Sequence, residues 1–251
     1  MLAKISGVPL GTLQKVFSGF TRNPRRDTIL KLEKALCQET PDAFVYSSSP
    51  RPVQMVCESA SPYGSPVKKQ GEYTLNDYYA LPDERRVELI DGVIYDMAAP
   101  SVRHQLILFE LSLQFRECAE KHCPDCTVFL SPCDVQLDKD DRTMLQPDLF
   151  VVCGPFDRDA RSIFGAPDLT VEVLSPATRS KDMLLKLHKY QNAGVKEYWV
   201  VDPDFKTVLV YDFSDDSFYP GKYDFYSKIP IRLSGGKCVI DFAEISRAAF
   251  A

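Results

Sequence analysis

Two acidic residues each lie within or beside a short apolar run of the sequence. Asp148 immediately precedes the run 149–152 (LFVV), and Glu172 lies inside the run 169–174 (LTVEVL). Apolar, β-branched runs of this length are typical of buried strands. An unpaired buried charge is too costly to keep, so each acid is expected either to form an ion pair or to bind a metal. Carboxylate oxygens are the ligands that Mg²⁺ prefers, and Mg²⁺ needs only one or two of them.

Three features together resemble a known family. They are Pro147-Asp148, the stretch 171–176 (VEVLSP) and the stretch 194–203 (GVKEYWVVDP). In this combination they are similar to the Uma2 family of endonucleases, also called DUF820, within the PD-(D/E)xK restriction-endonuclease-like superfamily. The resemblance covers residues 72–251 and implies an α/β fold, a restriction-endonuclease-like mixed sheet flanked by helices. It also implies metal-dependent hydrolysis of phosphodiester bonds in nucleic acid, most naturally DNA.

The resemblance assigns roles to particular residues. Asp148, Glu172 and the backbone carbonyl of Val173 would hold Mg²⁺ or Mn²⁺, and an earlier acid, here Glu88, would join the catalytic group. The superfamily pattern places a lysine two residues after the second acid, but this sequence has Leu174 there. Uma2-like proteins supply that lysine from the following helix.

The helix predicted over residues 180–193 offers three lysines. At 100° per residue, Lys186 flanks the apolar stripe of this helix, whereas Lys189 points nearly opposite. We therefore predict that Lys186 orients the nucleophilic water and stabilises developing charge. Lys181, in the loop that enters the helix, is the second candidate.

Each assignment has a structural alternative. Asp148 and Glu172 could form ordinary ion pairs, Glu88 could lie on the surface of a hairpin, and Lys186 could be a surface lysine. His104, near the start of a helix, would lie near the site in the family but needs no chemical role, and Trp199 is expected in the core. At the level of function, the alternatives are a catalytically inactive nuclease-fold DNA-binding or regulatory protein and a metallohydrolase with another substrate.

The N-terminal segment, residues 1–37, is predicted to form short helices in a helix-turn-helix arrangement. The first 40 residues carry seven Lys or Arg and three Asp or Glu, whereas the whole chain has a net charge of −5. The sequence of this segment resembles Cro/C1 (XRE) DNA-binding domains, although the first helix of that family is missing. The alternative interpretation is therefore a vestigial helical module. In that comparison, recognition-helix and phosphate-contacting positions are Thr12, Gln14, Lys15, Arg22, Arg25 and Arg26. The Pro- and Ser-rich stretch 38–71 is predicted to be a linker.

Local signals define the elements of the domain at 72–251. Thr74 is a helix cap, and Asp91-Gly92 between two short apolar runs predicts a β-hairpin whose first strand holds Glu88. A helix is predicted from Ser101 to Lys121. Its apolar side is predicted to include Leu106, Phe109, Leu113 and Cys118.

Composition limits the class of protein. The chain has 251 residues, of which 45% are hydrophobic, and the sequence has no apolar run of the ~20 residues that a membrane helix needs. We therefore expect a cytoplasmic protein without a membrane partner. The resemblance also suggests a homodimer. The eight cysteines are expected to be reduced thiols, and zinc is the weaker alternative for the group Cys118, His122, Cys123, Cys126 and Cys133.

Overall fold

A computed structural model describes residues 68–82, 84–176, 178–214 and 219–250, together with residues 6–9, 12, 27–28 and 31. The chain divides into two units, residues 1–72 and 73–251. In the first unit Val8 is buried, and the Thr12 N–H donates to the Pro9 carbonyl at 2.9 Å. The other five predicted DNA-contacting residues and most of the predicted linker lie outside the described residues, so the helix-turn-helix and the linker stay predictions.

The second unit alternates short strands and helices. Its helices are α1 (Leu75–Tyr79), α2 (Val102–His122), α3 (Leu187–Ala193), which a π-helical turn (Lys181–Lys186) precedes, and α4 (Phe242–Phe250). Strands β1 to β6 are Val87–Ile90, Val93–Asp96, Cys126–Leu130, Val135–Gln136, Leu149–Cys153 and Ile163–Phe164. Strands β7 to β12 are Leu169–Val173, Glu197–Asp202, Thr207–Asp212, Gly221–Asp224, Lys228–Ile231 and Cys238–Asp241. No helix in the described part of the chain is long and apolar enough to cross a membrane.

Six strands form one mixed sheet in the order β10-β9-β8-β7-β5-β3. Strands β7 and β8 are parallel, and every other neighbouring pair is antiparallel. All residues of β7 and β8 are buried, as expected for central strands covered on both faces. The prediction of a mixed sheet flanked by helices is confirmed.

The two faces of the sheet follow from the two-residue period of its strands. In β5, β7 and β8, odd-numbered residues such as Val171 and Trp199 pack with α2 and α4, whereas even-numbered residues such as Phe150 and Tyr198 pack with α3. Trp199 is fully buried, as predicted, and its indole N–H donates to Glu197 at 2.8 Å. The even-numbered face of these strands carries Glu172, and Asp148 directly precedes β5 at the same end of the sheet.

The predicted hairpin is confirmed. Asp91 and Gly92 connect β1 and β2 with φ angles of 51° and 76°, the left-handed region that this tight turn requires. Leu89 of β1 also forms a β-bridge with Met144, and this contact covers β1 on its second side. Glu88 is consequently 0% exposed, so the interpretation of Glu88 as hairpin surface is wrong.

Helix α2 begins where predicted. The Ser101 side chain accepts the His104 N–H at 3.2 Å and caps the helix. The predicted apolar side is wrong for Leu106, Phe109 and Leu113, which are 39%, 57% and 48% exposed, whereas Cys118 packs against the core as predicted. The helix has a second apolar stripe, which includes Ile107, Leu111 and Phe115, and that stripe packs on the sheet.

Four cysteines form disulfides, so the prediction of reduced thiols is wrong for them. Cys126 and Cys153 are direct neighbours across β3 and β5, and Cys118 of α2 is bonded to Cys238 of β12. Cys123 is a free thiol. Two members of the proposed zinc group therefore bond to cysteines outside that group, and no metal-binding cluster is found among the described residues.

Removing the bridge between α2 and β12 should cost substantial stability. The Cys118–Cys238 bond closes a loop of 120 residues, and we expect its replacement in Cys118→Ser/Cys238→Ser to lower the free energy of unfolding by about 2–5 kcal/mol. Urea denaturation measures this change. The control is Cys123→Ser, which removes a thiol without a bridge. Equal midpoints for the double variant and the control would contradict the structure.

Candidate active site

The two acids singled out in the sequence lie side by side on neighbouring strands. Leu149 of β5 pairs with Val171 of β7, and one further step along this antiparallel register sets Asp148 opposite Glu172. Glu172 points to the even-numbered face, where the Tyr190 hydroxyl of α3 donates to its Oε1 at 2.7 Å, whereas the Asp148 carboxylate lies at the ends of the two strands. The Val173 N–H donates to Asp148 Oδ2 at 2.8 Å, which fixes the position of the carboxylate. The Val173 carbonyl faces the same side of the strand, because N–H and C=O of one strand residue point the same way.

His104 of α2 contacts the same carboxylate of Asp148. Its Nε2 lies 3.0 Å from Asp148 Oδ2. Burial lowers the pKa of His104, but the hydrogen bond and charge of Asp148, with the Val173 backbone, outweigh it and raise the pKa above its usual value. The other ring nitrogen, Nδ1, is buried and has no hydrogen-bond partner among the described residues. His104 therefore lies beside the acid pair, the place that the family resemblance implied for it, and it is more than a helix-start histidine without contacts.

Lys186 lies between the two glutamates. Its Nζ is 2.8 Å from Glu88 Oε1 and 2.8 Å from Glu172 Oε1, and the side chain is 3% exposed. The interpretation of Lys186 as a surface lysine is therefore wrong. Position 174, where the superfamily pattern places its lysine, holds a leucine that is buried in the apolar cluster around Tyr190.

The other two candidate lysines occupy different places. Lys181 Nζ lies 2.5 Å from Glu88 Oε2, at the edge of the site. Lys189 forms ion pairs with Asp91 and Asp138, away from the acid pair. The π-helical turn that carries Lys181 and Lys186 is a rare conformation that often occurs at functional sites.

Asp182 is a buried member of the site that the sequence did not indicate. It is 2% exposed, and its Oδ1 lies 3.5 Å from Lys186 Nζ and accepts no hydrogen bond from the described residues. Burial is the main reason that the pKa of Asp182 is raised. Its spacing of four residues from Lys186 was the available signal, but in a segment rich in charge such pairs usually lie on a solvated helix face.

The site holds more carboxyl groups than ammonium groups. Four carboxyl groups, from Glu88, Asp148, Glu172 and Asp182, meet two lysine ammonium groups. Burial raises the pKa of Glu172 to about 8, and the neighbouring acids add to this effect while Lys186 opposes it. For Glu88 burial acts in the same direction, but Lys186 and Lys181 outweigh it and lower the pKa to about 2. Burial and the neighbouring acids thus disfavour the charged form of Glu172, whereas Glu88 is held as the carboxylate by its two lysines.

These four acids line a cleft of about 540 Å³. Its floor holds the acid pair and Lys186, and its walls include the basic residues Arg86 and Arg103. Arg86 is fixed by hydrogen bonds to Ser131 at 3.1 Å and Gln146 at 3.2 Å. A solvent-filled cleft with carboxylates at its base and arginines on its walls suits an anionic substrate whose charge a cation neutralises at the floor.

The acid pair has the donors that a hard divalent cation takes. Within the described ranges no group of three or more His, Cys, Asp or Glu side chains converges as a metal site, and Lys186 lies between Glu88 and Glu172. Asp148 receives its hydrogen bonds on Oδ2, and Glu172 receives those of Lys186 and Tyr190 on Oε1. One oxygen of each acid is thus left for a ligand. Two carboxylates and a carbonyl fit Mg²⁺, which keeps several waters.

The sheet, with its acid pair and adjacent lysine, defines a restriction-endonuclease-like protein. A family described as "Putative restriction endonuclease", Uma2, matches residues 75–222, and the chain belongs to this family. It is 32% identical over 130 residues to "Uncharacterized protein slr1290" of Synechocystis sp., a match that covers 51% of this chain and 67% of that protein.

The fold has a counterpart among solved structures. The crystal structure of "a putative nuclease belonging to DUF820" from Anabaena variabilis superposes with a TM-score of 0.60 at 22% identity. The match covers 70% of this chain and 99% of that one. At this identity the likeness establishes the fold, and the chemistry has to be argued from the site.

Proposed function

We propose that this protein is a metal-dependent endonuclease that hydrolyses phosphodiester bonds of DNA. The observation that carries the proposal is the pairing of Asp148 with Glu172 at the floor of an open cleft, with a buried lysine beside Glu172. A structural ion-pair network alone would not need an acid pair with one oxygen of each carboxylate left open to the cleft. The family to which the chain belongs supports nuclease chemistry in general.

Asp148, Glu172 and the Val173 carbonyl would hold Mg²⁺ or Mn²⁺. Such an ion acts as a Lewis acid on a phosphoryl oxygen and makes a bound water more acidic. Lys186 stays protonated among three carboxylates, so its role is to stabilise negative charge and orient the attacking water rather than to accept a proton. Glu88 positions both lysines, since its two oxygens bond to Lys186 and Lys181.

Other parts of the chain would extend the contact with DNA. The basic segment 1–37 would bind duplex DNA through the recognition-helix and phosphate-contacting residues named from the sequence, and 38–71 would link it to the nuclease domain. A homodimer would bring two cleavage sites to the two strands of a duplex.

Cleavage of closed circular DNA tests the proposal. The purified chain should convert supercoiled plasmid and circular single strands to linear products with Mg²⁺ or Mn²⁺ and lose this activity with a chelator. Circles have no ends, so cleavage shows endonuclease action. Intact circles with both metals would contradict the proposal and leave a catalytically inactive nucleic-acid-binding protein.

His104 should tune the affinity for the metal. Its hydrogen bond orients Asp148, and loss of such a support typically lowers metal affinity by about 10–100-fold. We expect this loss in His104→Ala, measured by calorimetric titration with Mn²⁺. His122→Ala, at the exposed opposite end of the same helix, is the control. Equal affinities in the two variants would show that His104 does not support the metal site.

A further inference from the structure

The turn between β8 and β9 carries an exposed phenylalanine beside the cleft. Phe205 is 67% exposed, and the preceding residues Pro203 and Asp204 line the cleft that holds the acid pair. The turn is well fixed, because Asp202 Oδ1 accepts the N–H groups of Asp204 and Phe205, each at 3.1 Å. A large apolar ring is therefore held in solvent at the entrance to the site.

Cations contact aromatic rings at two places beside this turn, and one of these cations, Arg103, lines the cleft. The Arg179 guanidinium lies 5.1 Å from the Phe205 ring centroid. Lys206 Nζ and the Arg103 guanidinium lie 4.5 Å and 4.9 Å from the ring centroid of Phe250. We call these five residues the cation–aromatic strip.

The charges of the strip differ along its length. Arg179 is neutralised by Asp202, to which its Nη2 donates at 2.9 Å, and by Asp204 at 3.5 Å. It therefore serves mainly to hold one face of Phe205. Lys206 and Arg103 are exposed, and none of the described carboxylates forms an ion pair with either. They are available to a phosphate backbone.

We propose that the cation–aromatic strip binds a single-stranded segment of nucleic acid and that an unpaired base stacks on the free face of Phe205. Aromatic side chains beside a positively charged groove are the usual means of holding single strands, because every base presents a π-face. In a duplex the base faces are covered by neighbouring pairs. This inference rests on the proposed function and adds a substrate class, nucleic acid with unpaired nucleotides next to the scissile phosphate.

Binding without cleavage tests the strip. The full chain carrying Asp148→Asn, without divalent metal, is titrated into labelled oligothymidine and oligouridine of about 20 nucleotides, longer than typical single-strand sites. A duplex of equal length is measured at the same salt concentration. We expect Phe205→Ala, added to this chain, to weaken single-strand binding by about 5–100-fold with little effect on the duplex. Phe205→Trp should restore it.

The matched control is Phe164→Ala, which removes a ring that is 66% exposed on β6, outside the cleft. Equal single-strand affinities for Phe205→Ala and Phe164→Ala would overturn the inference. It would also be overturned if the chain bound the duplex more tightly than the single strand and Phe205→Ala did not change this preference. If the unmodified chain cleaves circles under either of those outcomes, the nuclease proposal survives alone. Single-strand binding through Phe205 without any cleavage would support the strip and refute the hydrolysis.

Discussion

Asp148→Asn should lower metal-dependent DNA cleavage by about 10³-fold, because a bound cation supplies several kcal/mol of charge stabilisation. The variant keeps the size of the side chain. Its amide oxygen can still accept the Val173 N–H, so the fold should persist. The measurement is the initial rate of plasmid relaxation in Mg²⁺, with unfolding curves to confirm that the variant is folded.

Asp168→Asn is the matched control for this result. Asp168 lies beside the same two strands at their other end, where its Oδ2 accepts the Cys153 N–H at 2.7 Å and its Oδ1 pairs with Lys196. It therefore shares the structural role of Asp148 but lies outside the cleft. Equal losses of activity in the two variants would mean that Asp148 acts only by stabilising the sheet edge.

Lys186→Met should cause the second large loss, in activity and in stability together. Removal of the ammonium group leaves Glu88 and Glu172 buried without their shared partner, and breaking a buried pair in this way costs about 3–5 kcal/mol. Loss of an electrostatic stabiliser should also lower the cleavage rate by about 10²–10³-fold. Urea denaturation and plasmid relaxation measure the two effects.

A second variant separates the two effects. Lys186→Met/Glu88→Gln removes a negative charge as well, so part of the lost stability should return while the activity stays low. Lys189→Met, whose lysine pairs with Asp91 and Asp138, should leave the cleavage rate unchanged. Recovery of activity in the double variant would show that Lys186 only balances the charge of Glu88.

The acid pair was predictable because charged residues are unusual within or beside the apolar run of a buried strand. An acid in a run that otherwise belongs to the core has few physical explanations, and the antiparallel neighbours β5 and β7 bring the two acids together as a metal site requires. The Asp91-Gly92 hairpin was predictable for a similar reason, since two successive left-handed residues suit few sequences.

Other parts of the site depend on tertiary contacts that no local pattern contains. Asp182 stands among charged residues and resembles a solvated helix position until the π-helical turn buries it beside Lys186. Helix α2 has two apolar stripes, and only packing against the sheet decides which one is buried. The disulfides join residues 27 and 120 positions apart, and such connectivity cannot be derived from spacing.

Calorimetric titration of Mn²⁺ into the full chain and into Asp148→Asn tests most directly whether the acid pair is a metal site. The structure predicts saturable binding to the unmodified chain that is lost in the variant and retained in Asp168→Asn. Absence of binding to the unmodified chain, or equal binding to Asp148→Asn, would contradict a metal centre formed by Asp148 and Glu172.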